Sequence, residues 1–143
     1  MTGTSIPHDT LLLVADGEKM MFLRNHGKGA QPEFQVETRQ DRPDLPDSEG
    51  KTGTATGGGD QDYHKDEENR FAAHLADQLR MRALAHDFEA LIIIAPPRTL
   101  GELRKNLHPE VEKRVIMELA KEMTDRPIPD INAMLMTRSD AED

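Results

Sequence analysis

Arg98, Thr99, Arg104 and Lys105 are the first residues whose types and spacing suit a chemical task, because they follow a proline pair at the start of a helical pattern. A helix N-terminus carries amides with no intrahelical partner, and with added cations it favours an anion such as phosphate or an RNA backbone. The same residues fit a second account. Thr99 and Glu102 stand three apart, as the cap of a helix beginning at Leu100 and its return partner should, and the charges then form a solvated face. Between Arg98 and Arg126 seven basic residues meet six acidic ones, so the region is only slightly basic. A second group, Glu67, Arg70 and His74, falls at helical spacing with His64 just upstream, which suits acid/base work or a metal. It equally suits surface ion pairing. Asp16 and Asp60 suggest the paired carboxylates of a nuclease, although no second strand-borne acid supports them.

Several chemistries find no support. The chain has no cysteine, which excludes disulfides, thiolate nucleophiles and cysteine-ligated metals. No His-Glu-x-x-His spacing occurs, no Gly-x-Ser-x-Gly elbow is present, and Gly57-Gly-Gly59 lacks the Lys-Ser/Thr that completes a phosphate-binding loop. No metal and no cofactor are expected.

The elements that must position these residues follow from patterning. Leu91-Ile-Ile-Ile-Ala95 is an unbroken apolar run rich in β-branched residues, which suits a strand covered on both faces, and Pro96 and Pro97 end it. Thr10 to Ala15, a turn at Asp16-Gly17, and Met20 to Arg24 read as an antiparallel hairpin. Glu33 to Thr38 alternates in polarity, placing Phe34, Val36 and Thr38 on one face of a third strand. From Arg39 to Lys65 proline, glycine, aspartate, serine and threonine dominate, so a flexible loop is expected over 39–65. A helix capped near Asp66 follows from about Glu67 to His86, with Phe71, Leu75, Leu79 and Ala83 at a 3.6-residue period. Pro109 starts a short helical turn, Arg114 to Ala120 reads as a last strand with Val115, Met117 and Leu119 alternating, and Pro127 opens a terminal helix before a polar tail at 137–143. The order is β-β-β-α-β-α-β-α, an α/β mixed sheet flanked by helices.

At 143 residues the chain suits one domain over 1–143. Its start has no basic n-region and no apolar run spans a bilayer, so a cytoplasmic protein with no membrane partner is expected. The net charge of −9 disfavours DNA and limits RNA to a local basic face. With no Trp, one Tyr and four Phe, a base-stacking platform is not expected.

Val14-Ala-Asp-Gly17, Glu68-Asn-Arg-Phe71, Leu91 to Arg98, Leu100-Gly-Glu-Leu-Arg104 and Lys121-Glu-Met-Thr124, in this order, resemble the bacterial host attachment protein family over nearly the whole chain. That family is related to the middle domain of archaeal and eukaryotic class 1 translation release factors, which implies a mixed-sheet α/β fold. In release factors a Gly-Gly-Gln loop precedes a long helix and enters the ribosomal peptidyl transferase centre. Here Gly57-Gly-Gly-Asp-Gln61 holds the similar place, with Gly59-Asp60 separating the glycine pair from Gln61. The resemblance implies that Gly57, Gly58 and Gly59 approach RNA and that Gln61 orients a catalytic water, whereas a flexible linker needs neither. Three functions follow as expectations. They are a translation- or RNA-associated factor meeting the ribosome or tRNA, a peptidyl-tRNA hydrolase-like rescue factor or nuclease, and a protein-interaction module that docks a partner through 39–65 and affects host attachment indirectly.

Overall fold

A computed structural model describes residues 6–27, 32–41 and 60–141, with side chains at 6–27, 32–40 and 68–136. Nine elements follow in the order β1 (Leu11–Ala15), β2 (Lys19–Asn25), β3 (Phe34–Asp41), α1 (Asp60–Leu84), β4 (Leu91–Ala95), α2 (Pro97–Asn106), α3 (Pro109–Glu112), β5 (Val115–Ala120) and α4 (Ile128–Ala141). The five strands lie in the order β3-β2-β1-β4-β5, antiparallel through the hairpin strands and parallel from β1 to β4 to β5. This is the expected single α/β domain with a mixed sheet.

The apolar runs are explained by cover on both sides. Leu11, Leu13, Leu91 and Ile93 pack with Phe71, Leu75 and Leu79 of α1 and Leu100 and Leu103 of α2. Leu12, Val14, Ile92 and Ile94 pack with Ile131 and Leu135 of α4 on the opposite face. Every residue of β1 and β4 is buried.

Two bulges correct the period-two reading. The β2–β3 register slips between Phe22 and Leu23, so that Leu23 pairs Val36 while Phe22 pairs Thr38. Thr38 therefore leaves the face shared by Phe34 and Val36, and the extra residue, Glu37, reaches Arg24 and Arg82 instead. In β5 the register with β4 slips between Leu91 and Ile92, making Ile116 the extra residue, 48% exposed. Val115 then packs on the α1 side, and Met117 and Leu119 on the α4 side.

Boundaries also move. The span 39–65 is not one loop, since Arg39 to Asp41 continue β3 and Asp60 to Lys65 already belong to α1; residues 42–59 lie outside the described residues. The apolar period begins only at Phe71, so the first turns of α1 carry no such signal, but they contain no Gly or Pro and hold acids that suit a helix start. Thr99 does not cap α2. Pro96 is the cap residue and Pro97 the first helical residue, where a missing amide costs nothing, and the Leu100 amide donates to the Pro96 carbonyl at 2.8 Å. The presumed tail from 137 continues α4 to Ala141.

At the edge where β1 and β4 begin, Arg24 is 9% exposed and meets a complete set of acceptors. Its Nε donates to Glu37 Oε2 at 2.9 Å, Nη2 to Asp87 Oδ2 at 2.9 Å, and Nη1 to the Asp87 carbonyl at 2.9 Å. Arg82 lies 4.3 Å above the Phe22 ring and donates to the same two carboxylates. Burial disfavours the charge of Glu37, but Arg24 and Arg82 outweigh it and hold the carboxyl below its ordinary range.

Candidate functional site

Because β1, β4 and β5 are parallel, their carboxyl ends share one edge of the sheet, the usual place for function in open α/β folds. Asp16 follows β1 there. Its Oδ1 accepts from the amides of Glu18 at 2.7 Å and Lys19 at 2.8 Å, closing the hairpin turn. Its Oδ2 accepts the Thr124 hydroxyl at 2.7 Å, joining positions 108 residues apart, and the Lys19 ammonium at 3.3 Å. Burial raises the Asp16 pKa, yet the Glu18 amide, the Thr124 hydroxyl, the Lys19 amide and the Lys19 charge together leave it lowered. Thr124 Oγ1 also stands 2.6 Å from Glu122 Oε2, and its single proton can be donated to only one of the two carboxylates at a time. Lys19 reaches Asp125 at 3.3 Å as well.

α1 touches this edge through Glu68, its ninth residue. A Cβ added at Gly17 would stand 2.9 Å from Cγ and Cδ of Glu68, so the glycine lets the helix lie close against the turn. Glu68 Oε1 in turn pairs with Arg98 Nη1 at 3.7 Å, immediately beyond β4. Four stretches that are far apart in the chain, around Asp16, Glu68, Arg98 and Thr124, thus meet at one place.

The expected site residues divide. Arg98 is at this edge and Thr99 sits half-buried in the first turn of α2. Arg104 and Lys105 lie six and seven residues further along α2, about 9 Å or more down its axis. There Arg104 Nε meets Glu118 at 2.9 Å and Lys105 meets Glu102 at 2.9 Å. The cations of α2 are not gathered into one cluster, and each faces a carboxylate. Glu67 lies in α1 with its side chain outside the described residues, and Arg70 is exposed. His74 Nε2 is 3.0 Å from the amide of Gln78, which reaches Gln40 of β3 at 3.5 Å. No three His, Asp or Glu among the described residues are placed to hold a metal. Gln61 is the second residue of α1, its side chain outside the described residues, as are Gly57, Gly58 and Gly59 entirely.

Sequence reasoning missed the roles of Thr124, Glu122 and Lys19. Asp16-Gly17 was legible as a turn, but no periodicity announces that a threonine between β5 and α4 returns to it. Asp16 is itself no free nuclease carboxylate, since two amides, a hydroxyl and an ammonium already occupy it.

The mixed five-stranded sheet, covered by three helices on one side and one on the other, is consistent with the fold of release-factor middle domains. Residues 9–135 match the model of bacterial archaeo-eukaryotic release factor family 12, and the chain belongs to that family. No curated protein matches it. No helix among the described residues is long and apolar enough to cross a membrane.

Proposed function

We propose that this protein is a cytoplasmic, translation-associated factor that meets the ribosome or tRNA from the carboxyl edge of its sheet, using the segment Gly57 to Gln61 with Arg98. The observation that carries this reading is the seat of α1. The helix begins at Asp60, directly after the glycines, and Glu68 is held between Gly17 and Arg98. α1 is thereby fixed at the conjunction of the strand ends through its ninth residue, about 12 Å along the axis from its start. Membership of a release-factor family supports the assignment to translation. Arg104 and Lys105 contribute a second contact along α2 once an RNA phosphate competes with Glu118 and Glu102 for them.

Co-sedimentation of the purified protein with ribosomes tests this. Binding should be clear at low salt and fall steeply at moderate salt, because a chain of net charge −9 can meet RNA only through local cations. Gln61→Ala addresses the rescue-factor form of the same reading: loss of peptidyl-tRNA hydrolysis with association intact assigns Gln61 to chemistry rather than docking. The ion-paired state of Arg98, Arg104 and Lys105 favours a second reading, a protein-interaction module. Absence of both ribosome and tRNA binding at low salt makes that module the better account.

A further inference from the structure

An open groove of about 710 Å³ lies between the end of β5 and the start of α4, beside Thr124. Its size is within the range of small-molecule and cofactor sites. Lys121 and Arg126 line it, and unlike Lys19, Arg98, Arg104 and Lys105 they have no carboxylate partner among the described residues. Its floor includes Met123, 8% exposed, and the partly buried Met134, both continuous with the core under α4. Two carboxylates complete the lining. Glu122 is engaged by the Thr124 hydroxyl, and Asp130 stands in the first turn of α4.

Each part suits one portion of a nucleotide. Two unpaired cations suit a phosphate, Arg in the plane of its fork and Lys as a point charge. Thioethers give a polarizable surface against which an aromatic base gains favourable sulfur contact, in a protein with no Trp. A carboxylate on the rim accepts from a ribose hydroxyl or an exocyclic amine. With two acids opposing two bases the groove has no net charge, so a bare phosphate finds little attraction and the ligand must add a planar body.

We infer that this groove holds a nucleotide unit of single-stranded RNA, its phosphate at Lys121 and Arg126 and its base on Met123 and Met134. The inference rests on the RNA contact in the proposed function, though not on the ribosome as its source.

The test is fluorescence anisotropy of a short labelled single-stranded RNA with the full chain, run beside ribosome co-sedimentation. Lys121→Gln with Arg126→Gln should weaken RNA binding and lower the slope of log affinity against log salt by about 0.7, the value for one phosphate of a single strand. Met134→Ala should weaken binding and leave the slope unchanged. Both variants alter groove-lining side chains, and unchanged melting curves exclude unfolding as the cause. If the double variant binds RNA with wild-type affinity and slope, the groove assignment is wrong, even where ribosome binding persists and the proposed function stands. If groove-dependent RNA binding occurs without ribosome association, the groove stands and the translation reading falls. A mononucleotide that competes as well as the RNA makes the free nucleotide the ligand and overturns the RNA-strand form. No RNA binding by the wild type overturns the inference outright.

Discussion

The two edges of the parallel strands use similar residues to opposite ends. At the amino edge Arg24 and Arg82 share Glu37 and Asp87, and every donor of the buried guanidinium group has an acceptor. At the carboxyl edge the Thr124 hydroxyl is shared by Asp16 and Glu122, and among the described residues Arg98, 55% exposed, has a single carboxylate partner at 3.7 Å while Lys121 and Arg126 have none. A closed network fixes a shape, whereas an edge with unspent cations still has groups to offer a ligand. The difference teaches that charge content alone does not mark a site; the state of its pairing does.

The largest effect should come from the strand that links both edges. Ile93→Asp places an unpaired carboxylate at a position with no exposure, costing several kcal/mol against a total of about 5–15 kcal/mol, so loss of the cooperative melting transition is expected. An unchanged melting temperature would show that Ile93 is not core.

Next is the closed network. Arg24→Ala should cost about 2 kcal/mol, short of the value for fully buried pairs because Glu37 and Asp87 are 33% and 40% exposed and keep part of their hydration. Chemical denaturation reads this directly, and a cost no larger than that at Arg98 would erase the contrast between the edges.

At the carboxyl edge, Asp16→Asn should cost about 1–2 kcal/mol at neutral pH, because the amide loses the charge that Lys19 and two backbone amides address. The sign with pH is set by the lowered pKa of Asp16 in the folded chain. Its ionised form stabilises the fold above the unfolded value of about 3.9, and that contribution is lost as pH falls through the lower folded value. Melting temperatures of wild type and variant should therefore converge toward low pH, and a gap that widens on acidification would contradict the assignment.

The smallest effect is expected at Arg98. Arg98→Ala should change stability by less than about 0.5 kcal/mol, since a long, exposed ion pair contributes little, so any loss of RNA binding in that variant reports on contact rather than folding.

What the sequence determined by itself was the set of elements whose signals are local. Thr10 to Ala15 announces a strand, Leu91–Ala95 a strand covered on both faces, Asp16-Gly17 a turn, Phe71 to Ala83 a helix stripe, and Pro109 and Pro127 helix starts, because each depends on neighbouring residues alone. Glu37 and Ile116 were beyond that reading, since a bulge is decided by the partner strand and leaves no mark in alternation. The cap at Pro96 was concealed by a Thr99–Glu102 spacing that satisfies the same motif without forming it. Of the candidate site, Arg98 could be found from its place after the prolines, while Thr124 could not. Its hydroxyl matters only because β1 and β5 end at the same edge, and long-range register of that kind is fixed when the sheet assembles, 108 residues of chain after Asp16.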